Sequence, residues 1–256
     1  MVDSTERLPM VRVTETGRET TVDVVVTEFP LTIVLNERPV VTLLCSPANL
    51  DYLAVGFLFS EGLLRGEEDI REIAVDQEAG TVLVKTKKAI LPSSKRLVAS
   101  GGGRGAPFAP LNKQAKVDSS LEIKTSEVFA LMDDFIRRSA VFRATGGVHS
   151  AALCDRGGVL VFNEDIGRHN AIDKVFGQCM LQGIQTAGHL VVTSGRVSSE
   201  ILLKVARRNV SLLISKSAPT TMGVMMAGEL GMTLVGFARA GKANIYTNEW
   251  RVLDGR

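Results

Sequence analysis

The chain of 256 residues has little cysteine and few aromatic side chains: three Cys, one Trp and two Tyr. Cys45, Cys154 and Cys179 are scattered, each within or beside an apolar segment. They offer neither a disulfide framework nor a metal-ligand spacing, so buried reduced thiols are expected. Aromatic content of 5% argues against a base-stacking platform. A net charge of +2 is too small to argue for nucleic acid, and no nucleic-acid partner is expected. No apolar run approaches the roughly 20 residues that span a bilayer, so no membrane partner is expected. Residues 1–20 mix Asp3, Glu6, Arg7, Arg12, Glu15 and Arg18 with no continuous apolar region. That is not a secretory signal, and the cytoplasm is the expected compartment.

Several catalytic signatures are missing as well. There is no Gly-x-Ser-x-Gly, His-Glu-x-x-His or Cys-x-x-Cys. The zinc deaminase pair, His/Cys-x-Glu with Pro-Cys-x-x-Cys, is absent too.

What is present is a regular alternation of apolar segments and turns, with 45% hydrophobic residues to fill a core. Residues 21–45 read as two or three antiparallel strands, with turns at Pro30 and Asn36 to Pro39. Ser46-Pro47 is a helix start, and Leu50, Leu53, Ala54, Phe57 and Leu58 make one helical face. Ile70 to Val75 and Thr81 to Lys85 read as a strand pair. Residues 93–116 break the pattern with Gly101-Gly102-Gly103 and five positive charges without an acid. This reads as a flexible linker or as a basic arm over an anionic ligand.

Beyond it, Ser126 can cap a helix with Val128, Phe129, Leu131, Met132, Phe135 and Ile136 on one face. Val148 to Leu153 and Val159 to Phe162 predict a hairpin. Strand and helix then alternate up to a last short strand at Asn244 to Thr247. The expected fold class is α/β, α+β overall. It has a small α+β domain over 1–92, a Gly-rich basic loop over 93–118, and a domain over 119–256 with a mixed, largely parallel sheet.

Polar residues collect in four turns, each after a predicted strand: Asn163 to Asn170, Ser194 to Ser199, Ser215 to Thr221 and Arg239 to Lys242. In a parallel sheet such turns share one rim, so distant residues converge. Ser194-Gly195-Arg196 and Ser217 to Thr221 lead into helix N-termini, which favour anions. Arg168, Arg196, Lys216, Arg239 and Lys242 can add charge-assisted hydrogen bonds. Glu164, Asp165 and Glu200 can accept from a base or pterin edge; His149 stands beside the Gly146-Gly147 pair and His169 in a polar turn. The serines fit plain helix capping equally well. Asn170 and Asp173 fit a cap and its partner acid. General acid–base chemistry on Asp165 and His169 is a further reading, although no nucleophile stands beside them.

Thr145 to Ala152, Asn163-Glu-Asp-Ile-Gly-Arg-His-Asn-Ala-Ile-Asp-Lys174 and Thr193 to Glu200 closely resemble the FdhD family of formate dehydrogenase accessory proteins. Ser215 to Thr220 and Val235 to Lys242 continue the match, which covers about residues 20 to 250. The resemblance implies a cytidine-deaminase-like second domain without zinc chemistry. It also implies a molybdenum bis(molybdopterin guanine dinucleotide) cofactor as the bound client. A cysteine desulfurase and formate dehydrogenase would be partners, and a homodimer the assembly. The family's cofactor stretch falls on Phe237, Ala238, Arg239, Ala240, Gly241 and Lys242. The family's activity is sulfur transfer through a loop cysteine, but the matching loop, Ala99 to Gly105, has none. Gly102 stands at the equivalent place. A persulfide needs a thiolate, so the resemblance supports cofactor binding more firmly than sulfur transfer. A non-catalytic cofactor chaperone and a nucleotide-acting enzyme using Asp165 and His169 are the alternatives.

Overall fold

The computed structural model describes residues 2–88 and 116–255. Most of the Gly-rich stretch expected over 93–118, Gly102 included, lies outside the described residues.

The chain begins with a ribbon of which the sequence reading caught only the last residues, Thr21 to Val26. Strands β1 (Thr5–Thr14) and β2 (Gly17–Val26) form an antiparallel two-stranded ribbon that, among the described residues, joins no other sheet. Side chains alternate along a strand, so Val11, Val13 and Val22 share one exposed face. Arg12 and Glu19 pair across the other face at 3.1 Å. Pro9 argues against a central strand, and a free ribbon has none.

Strands β3 (Phe29–Leu35) and β4 (Arg38–Cys45) make the next hairpin, turning through Asn36 and Glu37 in left-handed conformations. Helix α1 (Leu50–Ser60) follows, then β5 (Ile70–Asp76) and β6 (Thr81–Thr86). The sheet order is β4-β3-β6-β5, with β3 and β6 parallel. Leu31, Ile33, Leu35, Val41 and Leu43 pack beneath Leu53, Ala54 and Leu58.

The second unit carries β7 (Ile123–Lys124), α2 (Thr125–Arg138), α3 (Ala140–Thr145), β8 (His149–Cys154), β9 (Val159–Asp165) and α4 (Arg168–Leu181). Then come β10 (Leu190–Thr193), α5 (Ser199–Ala206), β11 (Leu212–Ser215), α6 (Thr221–Glu229), β12 (Thr233–Arg239), β13 (Lys242–Thr247) and β14 (Val252–Leu253). Ser126 lies inside α2 and does not cap it; the Glu127 carboxylate accepts from the Lys124 N–H at 2.7 Å instead. The main sheet runs β13-β12-β11-β10-β8-β9. Parallel pairing is confined to its middle, β10–β11–β12, while both flanks are antiparallel. The sheet is therefore mixed, and less parallel than alternation alone implied.

Alternation sorts the strands into two cores. Leu153, Val191, Leu213 and Leu234 face α4, α5 and α6, whereas Ala152, Val192, Ile214 and Val235 face α2. A sheet covered on both sides needs apolar residues at nearly every position, which is why these strands read as unbroken apolar runs.

The two units meet where α1 crosses α4. A Cβ on Gly56 would collide with the Asp173 carbonyl oxygen, and one on Gly177 with the Tyr52 carbonyl oxygen. Only glycine lets the helix backbones approach so closely. Buried polar pairs complete the joint: the Ser60 hydroxyl donates to Asp173 at 2.7 Å, and Lys204 pairs with the other Asp173 oxygen.

Candidate functional site

At the rim of the main sheet lies a cleft of about 410 Å³. Phe142, Gly146, Gly147, Val148, His149, Ile166, Ser194, Lys216, Ser217, Ala218, Phe237 and Arg239 line it. Each of the four polar turns supplies at least one of these residues. The parallel strands β10, β11 and β12 deliver Ser194, Lys216 to Ala218, and Phe237 with Arg239 to one rim.

The lining has two cations, a histidine, two serines and, among the described residues, no carboxylate. His149 Nδ1 lies 3.4 Å from the Ser194 hydroxyl, which also accepts the Ser150 N–H at 2.9 Å. Burial, then the nearby charges of Arg168 and Arg196, hold the His149 imidazole below its ordinary range. It is neutral at physiological pH and can donate from one nitrogen and accept at the other. Phe237 holds a left-handed backbone, φ 53°, and its N–H donates to the Ser217 carbonyl at 3.0 Å. Such strain in a non-glycine residue is commonest at ligand sites. Ala240 and Gly241 are also left-handed and turn β12 into β13.

The sequence-predicted residues therefore separate. His149, Ser194, Lys216, Ser217, Phe237 and Arg239 line the cleft. Arg168 lies just behind: its side chain covers Gly195, where a Cβ would meet it at 2.8 Å, and its Nε is buried without a hydrogen-bond partner. Arg196 and Lys242 are exposed outside the lining, and Lys242 pairs with Arg239 across the hairpin. Ala238 is buried in the core on the α2 side. Thr220 caps α6 by accepting the Gly223 N–H at 3.1 Å.

The Asn163–Lys174 stretch needs the largest correction. Asp165 is fully buried, 2.7 Å from the Lys174 ammonium, and accepts from the Ser46 N–H at 3.1 Å, the Gly167 N–H at 2.9 Å and Asn170 Nδ2 at 2.9 Å. Such a carboxylate has no capacity left for a ligand or for proton transfer. Asn170 lies within α4, not at its start, and also donates to the Leu44 carbonyl at 2.9 Å. Asn163 bonds Asn49 and Gln178, each at 2.8 Å. Glu164 receives the Val141 and Phe142 N–H groups, both at 3.1 Å, and so anchors α3 rather than a base edge. The His169 imidazole is pushed down to about 3, by burial first and then by Lys204, Arg168 and His149. Glu200 stands 3.6 Å from its Nε2, too far for a hydrogen bond, and its exposed charge is screened. Neutral His169 beside a committed Asp165 is no acid–base pair.

Sequence reasoning missed Phe142, Val148, Ile166 and Ala218. The Gly146-Gly147 pair beside His149 was the available signal, because Gly146 ends α3 in a left-handed conformation and points the chain into the cleft.

The chain's three cysteines are all buried, and burial pushes each thiol up to about 12. Among the described residues no group of three or more His, Cys, Asp or Glu is placed to hold a metal ion. No helix among them is long and apolar enough to cross a membrane.

Fold and cleft together define an α+β protein with a cationic cleft on the rim of a mixed sheet. Comparison with known proteins makes this specific. Residues 26–253 match the FdhD/NarQ family profile. The sulfur carrier protein FdhD of Bacillus subtilis is 44% identical over 242 residues, 91% of each chain. That of Staphylococcus aureus is 38% identical over 253 residues, 96% of each. A crystal structure from Desulfotalea psychrophila, provisionally described as a formate dehydrogenase accessory protein, superposes with a TM-score of 0.84 at 28% identity. It covers 98% of this chain and 100% of its own. The chain belongs to the FdhD/NarQ family.

Proposed function

We propose that this protein serves a formate dehydrogenase by holding a guanine-nucleotide arm of the molybdenum bis(molybdopterin guanine dinucleotide) cofactor in the cleft. The observation that carries this reading is the lining itself. Lys216 and Arg239 stand beside neutral His149 and two serines, with no described carboxylate to repel phosphate. The orphaned Arg168 Nε, buried behind the cleft, also suits an anion-bearing ligand. The cofactor itself would supply the redox-active metal, while this chain binds and shields its nucleotide. A β8–β9 hairpin followed by βα units suits a cytidine-deaminase-like second unit.

Curated relatives are named sulfur carriers, but a carrier needs a reactive thiolate. Here every cysteine is buried with its thiol pushed up to about 12. The reading we favour is therefore a cofactor-holding protein. A cysteine desulfurase would then find no reactive thiol on the folded chain to load.

Guanosine diphosphate affinity tests the site. Arg239→Ala should weaken binding by roughly 1.5 to 3 kcal/mol, the worth of a charged hydrogen bond. Lys242→Ala, outside the lining, should change it little. A wild-type protein that binds no guanosine diphosphate would overturn the reading.

A further inference from the structure

One wall of the cleft carries an aromatic ring that neither the family's cofactor stretch nor the polar turns include. Phe142 lies on α3 and is 38% exposed. Four hydrogen bonds fix its backbone and that of Val141. The Glu164 carboxylate receives the Val141 and Phe142 N–H groups, Thr145 Oγ1 donates to the Val141 carbonyl at 2.8 Å, and the Gly146 N–H donates to the Phe142 carbonyl at 2.7 Å. These bonds set the backbone, and the ring lines the cleft. Its face is partly occupied: the Lys216 ammonium lies over it, 5.1 Å from the centroid.

Resting on the proposed nucleotide site, we propose that Phe142 is the stacking face for the ligand's heteroaromatic base, and that Lys216 covers this face until a ligand arrives. An ammonium over a phenyl ring in partly solvated surroundings is held weakly. A phosphate offers it a charge-assisted hydrogen bond instead. A ligand with both a flat ring and a phosphate therefore takes both halves of the resting contact: the base lies on Phe142 and the phosphate draws Lys216 away. A bare phosphate would use only Lys216. The cleft thus selects nucleotides over inorganic anions through one exchange. Low aromatic content argued against a base-stacking platform, but a single base needs only one ring.

Titration calorimetry with guanosine diphosphate, and competition by inorganic diphosphate, tests this on four proteins: wild type, Phe142→Leu, Phe142→Tyr and Lys216→Met. Phe142→Leu should weaken the nucleotide about tenfold, the scale of one lost base–aromatic stack. Its affinity for inorganic diphosphate should stay at the wild-type value, and Phe142→Tyr should restore nucleotide binding. Lys216→Met should weaken both ligands. Thermal melts of the unliganded variants separate lost stacking from a collapsed α3. Wild-type nucleotide affinity in Phe142→Leu would overturn the stacking role, as would equal losses for both ligands. Failure of the wild type to bind any guanosine diphosphate would overturn the nucleotide site and this inference together.

Discussion

The Lys174 ammonium lies 2.7 Å from a carboxylate oxygen of Asp165, and both side chains are wholly shielded from solvent. The pair forms the centre of the joint between the two units. Ser46, at the end of β4, donates its N–H to Asp165 and accepts from Lys174 at its carbonyl. Its hydroxyl accepts the N–H of Ile166, a cleft residue, at 3.1 Å. Three groups of one serine thus tie the first unit to the floor of the cleft.

Removing one partner of a buried ion pair strands the other charge. Asp165→Asn should lower unfolding free energy by about 3 to 5 kcal/mol, measured by urea denaturation. Replacing both, as Asp165→Leu with Lys174→Met, should cost clearly less than the two single changes added together. Simple additivity would show that the pair is not coupled.

The helix crossing makes a sharper demand. Gly177→Ala drives a methyl into the Tyr52 carbonyl and should cost about 3 kcal/mol, the upper end of overpacking penalties. Gly158→Ala, with nothing within 4 Å of its added Cβ, should shift stability by less than about 0.5 kcal/mol. Paired thermal melts read the contrast, and equal effects would refute the close crossing.

Acid should weaken the fold in part through His169. Its folded value, pushed down to about 3, lies below the ordinary 6.5, so the unfolded chain binds protons more readily between these values. The histidine's contribution is complete above pH 6.5 and is lost as pH falls toward 3. In His169→Gln the loss of stability between pH 6.5 and 4.5 should be shallower, by up to about 1 kcal/mol per pH unit. That figure is already reduced for a side chain 27% exposed. Chemical denaturation at both pH values measures it, and parallel profiles would refute it.

The thiols should be silent in the native state. Iodoacetamide at pH 8 should leave the folded protein unmodified and add three groups after denaturation, read by intact mass. Incubation with a cysteine desulfurase and cysteine should add no persulfide mass to the folded chain. Rapid labelling or a persulfide adduct would restore the thiol-carrier reading.

The strands of the main sheet were legible because burial on both faces leaves long apolar runs. The convergence of Ser194, Lys216, Ser217 and Arg239 on one rim was legible from strand–helix alternation. The roles of Asp165 and Asn170 were not. Local sequence displays a carboxylate and an amide, but it does not show that Ser46 and Leu44, far back in the chain, already engage them. Helix α3 was passed over because six residues carry too little periodicity to read. Phe142 was lost with it.

The densest motif of this chain encodes a joint, and that changes what sharing the motif reports. Whatever shares Asn163 to Lys174 shares the means of bolting two units together. The motif therefore reports first the assembly of the molecule, and it reaches the cleft only through Ile166 and Arg168.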